Sequence, residues 1–162
     1  MMRTTYSVHA HDFDFLADAR NIHNRRLKHR LADLDEGKEF PATVEFRKIL
    51  NGLANVDQFE AQCNGASFEG VSLRVFNPAT AQWTIYWMDT SKPMLAERVV
   101  GAFENGRGEF FGEEEFNGGK VKLRFLWSET TTTRPRWEQA YFDEAKQEWE
   151  TNWVMEFSKS KL

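Results

Sequence analysis

The 162-residue sequence contains a single cysteine, Cys63, so no intrachain disulfide can form and no thiolate cluster can hold zinc. Histidine is almost as scarce: His9, His11, His23 and His29 are the full set, and none lies beyond residue 29. His9-Ala10-His11-Asp12 brings two imidazoles and a carboxylate together, but residues 1–11 read as a loose terminal tail, and no metal site is expected there. Long apolar runs are missing too. The longest stretch without a charge, residues 75–88, is interrupted by Asn77-Pro78 and is too short to span a bilayer. The first residues lack the apolar segment of a secretory signal, so the expectation is a cytoplasmic protein with no membrane partner. A net charge of -4 supplies no general attraction to nucleic acid, which is not expected as a partner. There is no Gly-x-Ser-x-Gly elbow, and Gly118-Gly119-Lys120 lacks both the upstream glycine and the helix of a phosphate-binding loop.

What the sequence does have is aromatic side chains and turns. Fourteen Phe, six Trp and three Tyr make up 14% of the chain, a composition that favours strands. Four Asn-Gly pairs, at 51–52, 64–65, 105–106 and 117–118, are strong hairpin signals because both residues tolerate positive φ. Ten strands are predicted, over 21–34, 40–50, 55–63, 68–76, 83–89, 98–104, 108–116, 121–128, 136–142 and 149–158. Period-two apolar stripes support them: Val71, Leu73, Val75; Trp83, Ile85, Trp87; Val121, Leu123, Phe125, Trp127; and Trp149, Thr151, Trp153, Met155, Phe157. The four prolines fall at strand starts or in loops. One short helix is expected within 12–19, where Asp12 can cap and β-branched residues are absent. No linker divides the chain, so 1–162 reads as one domain. Consecutive antiparallel strands without crossovers are best served by closing the sheet, giving an all-β up-and-down barrel of about ten strands; a two-sheet sandwich is the alternative.

Asp12-Phe13-Asp14-Phe15-Leu16, His23-Asn24-Arg25-Arg26-Leu27, Gly106-Arg107-Gly108-Glu109-Phe110 and Trp149-Glu150-Thr151-Asn152-Trp153 resemble a family of small bacterial proteins of unknown function. That family in turn resembles the calycins, the superfamily of lipocalin-type barrels. The resemblance implies a ligand-binding barrel, but it departs at one place. The Gly-x-Trp that commonly joins helix and first strand in calycins is replaced here by Asp18-Ala19-Arg20, so the usual tryptophan floor is missing. Some calycin-like barrels hold haem through a late histidine. This chain has none, and no cofactor is expected.

Two charge clusters, Arg20, Arg25, Arg26, Lys28, Arg30 and Glu109, Glu113, Glu114, Glu115, are read as solvated edges, since alternation splits each between two faces. The remaining signal is polar residues on strand faces opposite the apolar stripes: Arg74, Tyr86, Arg124, Glu138 and Asn152, with Asp57 and Arg25 as possible additions. Leu126, Phe76, Met88, Ala140, Phe142 and Val154 share those faces, a mixture that a cavity with a few charges among apolar walls would produce. The first reading is a barrel binding a small, partly apolar, acidic molecule, with Arg124 paired to Glu138 when empty. The second is an isomerase- or lyase-type enzyme using Glu138 or Asp57 as acid/base, Tyr86 as proton donor and Arg124 as charge stabiliser. The third is a homodimer with a filled barrel that acts through its surface.

Overall fold

A computed structural model describes residues 8–63 and 65–159; the side chains of Cys63, Ala96 and Glu97 are outside the description, as are Asn64 of one Asn-Gly pair and the first seven residues of the expected tail. Ten antiparallel strands follow in order: β1 (Asn21–Leu27), β2 (Gly37–Ile49), β3 (Ala54–Cys63), β4 (Ala66–Asn77), β5 (Gln82–Asp89), β6 (Lys92–Glu104), β7 (Arg107–Phe116), β8 (Gly119–Ser128), β9 (Arg136–Asp143) and β10 (Glu148–Ser158). Each pairs with its sequence neighbours, and β1 pairs with β10 from Asn21↔Ser158 to Arg26↔Trp153. That last ladder closes the sheet. The sandwich alternative is thereby excluded, and the architecture is consistent with a calycin-like barrel. No helix among the described residues is long and apolar enough to cross a membrane.

The turns work as their dipeptides require. Asn105-Gly106 and Asn117-Gly118 have both residues at positive φ (53° and 77°, 50° and 78°), the geometry whose twist matches flanking strands. Asn51-Gly52 instead forms part of a 3-10 turn, Leu50–Gly52, between β2 and β3.

Two sequence expectations need correction. The helix expected within 12–19 is only a 3-10 turn, Asp14–Leu16. Its role is to seat Phe13 and Leu16, each 1% exposed, as a plug across one barrel end. The Phe13 ring meets Trp83 (4.9 Å) and Phe103 (5.0 Å) edge-on. Asp12, accepting a 2.9 Å hydrogen bond from Trp83 Nε1, ties the plug to β5. Residues at the end of the expected tail join this floor: His9 stacks on Phe76 at 4.7 Å and pairs with Asp12. Aromatic packing from the 3-10 turn thus covers the end that lacks the calycin tryptophan.

The first strand also ends earlier than predicted. After Leu27 the chain turns into a loop over 28–36, with Leu31 and Asp33 at φ 55° and 56°. Residues in a left-handed conformation cannot continue a strand. The loop crosses the opposite end of the barrel, the mouth, where the Leu31 amide donates to Glu150 Oε1 at 2.8 Å and Lys28 pairs with Glu36 at 2.6 Å.

Candidate functional site in the barrel lumen

The inward faces line a void of about 40 Å³, a few times the roughly 10–15 Å³ that a single buried water needs. Its wall is mostly aromatic, with Phe59, Trp87, Phe125, Trp127, Trp137 and Trp153 among its residues, and its charged groups are Asp57, Arg74 and Arg98. Trp87 is seated by close approach: a Cβ on Gly70 would stand 2.2 Å from its ring, so glycine is required beneath it. Asp89 Oδ2 accepts from the indole Nε1 at 2.8 Å, fixing the ring's orientation.

Arg74 is the centre of the polar part. It is 3% exposed, and it projects inward from β4 between β3 and β5. Asn55 is its cross-strand partner and Asp57 lies one pair further on, so both acceptors are on the same face. Arg74 Nη1 donates to Asn55 Oδ1 at 2.9 Å and Nη2 to Asp57 Oδ2 at 2.6 Å. The guanidinium stands 5.0 Å from the Phe13 ring centre and 5.6 Å from that of Trp127. Two donors in this cluster, Arg74 Nε and Trp127 Nε1, are buried without a hydrogen-bond partner.

A second polar chain runs toward the mouth. The register passes from Ile85↔Val99 to Tyr86↔Glu97, leaving Arg98 unpaired in a bulge that lets it reach the lumen beside Val99. Arg98 Nη2 contacts Glu114 Oε1 at 2.6 Å, and Glu114 Oε2 accepts from the Tyr141 hydroxyl at 2.6 Å. The same phenol oxygen accepts from Arg30 Nη1 at 2.6 Å. Burial, with Glu114 as neighbour, pushes the Tyr141 pKa up to about 12, so this phenol stays protonated at neutral pH.

The structure separates the residues singled out in the sequence. Arg74 and Asp57 lie together in the lumen wall. Arg124, Tyr86 and Glu138 do not, because their neighbours Phe125, Ile85 and Gln139 face inward and alternation sends them outward. The expected Arg124–Glu138 pair is therefore absent. Arg124 stacks 4.9 Å over Trp149 on the outer wall, while Glu138 pairs with Arg136 at 3.4 Å. Arg25 is exposed and donates to the Asp35 carbonyl. Arg25, Glu138 and Asn152 help line a shallow exterior groove across β1, β10 and β9. The four groups of the enzyme reading thus occupy two sides of the wall, Asp57 within and Tyr86, Arg124 and Glu138 without.

Asn152 is a special case. The β9–β10 register steps from Thr151↔Ala140 to Trp153↔Gln139, so Asn152 is the extra residue of a bulge. It is 1% exposed, and its Oδ1 accepts from Gln139 Nε2 at 2.8 Å. The bulge also reverses alternation. Trp153, Met155 and Phe157 face the lumen, while Trp149 packs outside on Phe111 and Phe142. The five-residue stripe read from the sequence is consequently two stripes on opposite faces.

With Arg124 half-buried on the outer wall, Arg124→Leu is expected to change stability by no more than about 1 kcal/mol, the scale of a cation–π contact at the surface. Urea melts check this, and a loss of several kcal/mol would contradict the exterior placement.

Sequence reasoning missed Arg98, Ser72, Trp127 and Gln139 as wall residues, and Asn55 as a partner of Arg74. Asn55 had a usable signal, being two residues before Asp57 on one strand face. Arg98 had none, since only its bulge turns it inward. Among the described residues no three His, Cys, Asp or Glu side chains gather where a metal ion could sit. No family model matches this chain, and no curated protein does either.

Proposed function

We propose that the protein binds a small, partly apolar carboxylic acid in the barrel lumen. The observation that carries the reading is the pair of buried, unpartnered donors, Arg74 Nε and Trp127 Nε1, on one cavity wall. A buried donor without an acceptor costs about 1–3 kcal/mol, and a carboxylate is the acceptor group that would serve a guanidinium edge best. The charges of the wall are already balanced, Arg74 by Asp57 and Arg98 by Glu114, so the open donors and not net charge call for an acceptor. The void fits the carboxylate head. The apolar body would lie along Phe59, Trp87 and Trp153 and would require these rings to shift toward the mouth. The closed barrel, of the kind calycins have, is compatible with the same reading.

Octanoate is the probe. Titration should change the intrinsic fluorescence of the lumen tryptophans saturably, and Trp127→Phe should weaken binding roughly fivefold, the worth of one hydrogen bond of about 1 kcal/mol. Absence of saturable binding would sink the proposal. The small void favours a second reading, a filled barrel acting as a homodimer through its outer wall, where Phe111 is 48% exposed. Sedimentation that shows a dimer insensitive to octanoate would favour it.

A further inference from the structure

The open hydrogen-bonding atoms of the lumen wall are all of one kind. Three of its side chains hold a buried atom without a partner, Arg74 Nε, Trp127 Nε1 and Arg98 Nε, and each is an N–H donor. Among the described residues, no acceptor of this wall is buried and unpartnered. Buried polar groups are ordinarily paired, so a wall with open donors and no open acceptor suits an occupant that brings acceptors only.

Arg74 and Trp127 are the donors of the carboxylate reading, and Arg98 stands apart from them. The Arg74 guanidinium lies at the floor, 5.0 Å from the Phe13 ring. Arg98 reaches the other way, to Glu114 Oε1 at 2.6 Å, and that carboxylate leads through Tyr141 to Arg30 in the mouth loop. Ile85 lies between them on β5, opposite Arg74 on one side and Val99 on the other. It is apolar and lines the same void. Two strand spacings, about 10 Å, therefore separate the backbones that carry the two guanidinium groups.

The acceptors around Arg98 are already engaged. Glu114 Oε1 is taken by Arg98 Nη2, and Glu114 Oε2 accepts from the Tyr141 hydroxyl. Gln139 Oε1 accepts from Arg98 Nη2 at 3.5 Å, which turns the amide Nε2 toward Asn152 Oδ1 at 2.8 Å. That chain ends on one more buried open donor, Asn152 Nδ2. The hydroxyl of the wall, Ser72, is at the Arg74 end, beside Asp57 across the β3–β4 ladder.

We infer that the ligand is a keto acid, with its carboxylate on Arg74 Nε and Trp127 Nε1 and, several carbons along an apolar chain, a ketone oxygen on Arg98 Nε. This rests on the lumen reading above and specifies its ligand class. A ketone accepts without bringing a hydrogen of its own. A hydroxyl in its place would bring an O–H into surroundings whose acceptors are occupied, and a buried donor left open is costly.

The experiment is calorimetric titration of the intact protein with four acids of equal chain length. They are octanoate, the keto acid with its carbonyl at the sixth carbon, the corresponding alcohol, and the keto acid with its carbonyl next to the carboxylate. The sixth-carbon ketone is expected to bind about tenfold tighter than octanoate, the worth of one hydrogen bond to a charged donor, and tighter than the other two. Arg98→Lys keeps a cation beside Glu114 but removes the Nε–H, and it should abolish the ketone's advantage over octanoate. A sixth-carbon ketone no tighter than octanoate would overturn the keto-acid assignment while leaving the lumen reading intact. An alcohol that equals the ketone would overturn the acceptor-only character of the site. Equal binding of the other keto acid would overturn the separation of the two groups. An advantage undiminished in Arg98→Lys would overturn the role of Arg98, and the comparison on the wild type decides the ligand class even where the variant does not fold. If none of the four binds, the lumen reading fails and this inference fails with it.

Discussion

Arg74→Met should destabilise the fold by about 3–5 kcal/mol, the range for stranding one member of a buried ion pair. Asp57, 4% exposed, would lose its guanidinium partner and remain in a wall of aromatic rings. Its carboxylate would then be held charged at high cost or forced to take up a proton. Asn55 Oδ1 would lose a donor in the same step. The companion variant Arg74→Met/Asp57→Leu removes both charges and should recover most of the loss, since apolar replacement of a buried pair is often near neutral. Urea denaturation of the wild type, both single variants and the double variant gives the coupling directly. A single variant within about 1 kcal/mol of wild type would mean that Arg74 reaches water, and the lumen site would lose its anchor.

The second large effect belongs to the floor. Phe13→Ala should cost about 3–5 kcal/mol, the usual range for removing a buried phenyl ring. The ring meets Trp83, Phe103, Phe110 and Trp127, one side chain from each of the strands β5 to β8. Its loss would open the floor beneath the Arg74 guanidinium, 5.0 Å away. Acrylamide quenching of tryptophan fluorescence should rise accordingly, and Phe13→Leu should fall between wild type and the alanine variant in both measurements. A floor that survives Phe13→Ala with less than about 1 kcal/mol lost and no added quenching would show that the strands close that end by themselves.

The architecture was legible in the sequence because its signals are local. Asn-Gly pairs fix hairpin turns through backbone sterics, and period-two stripes in Trp83–Trp87 and Val121–Trp127 fix which residues share a face. Ten such strands without crossovers leave closure as the economical arrangement. Local rules do not, however, say which face is inside. Leu73-Arg74-Val75 and Leu123-Arg124-Phe125 are nearly the same pattern, yet Arg74 is buried in the lumen and Arg124 lies on the outer wall. What separates them is the partner strand. Asn55 and Asp57 stand beside Arg74 and make an inward guanidinium tolerable, whereas Arg124 pairs across the ladders with Phe111 and Ala140.

Bulges decided the rest. One extra residue shifts strand parity, so Arg98 turns into the barrel and Asn152 divides Trp149 from Trp153. A bulge arises from the fit between two strands distant in sequence, and neither strand records it alone. The amino-acid sequence therefore determined the strands, their order and the closed barrel, through turn sterics and side-chain alternation. Only the tertiary structure decided which charges are enclosed, because the cost of burying a charge depends on the partners that register and closure bring to it.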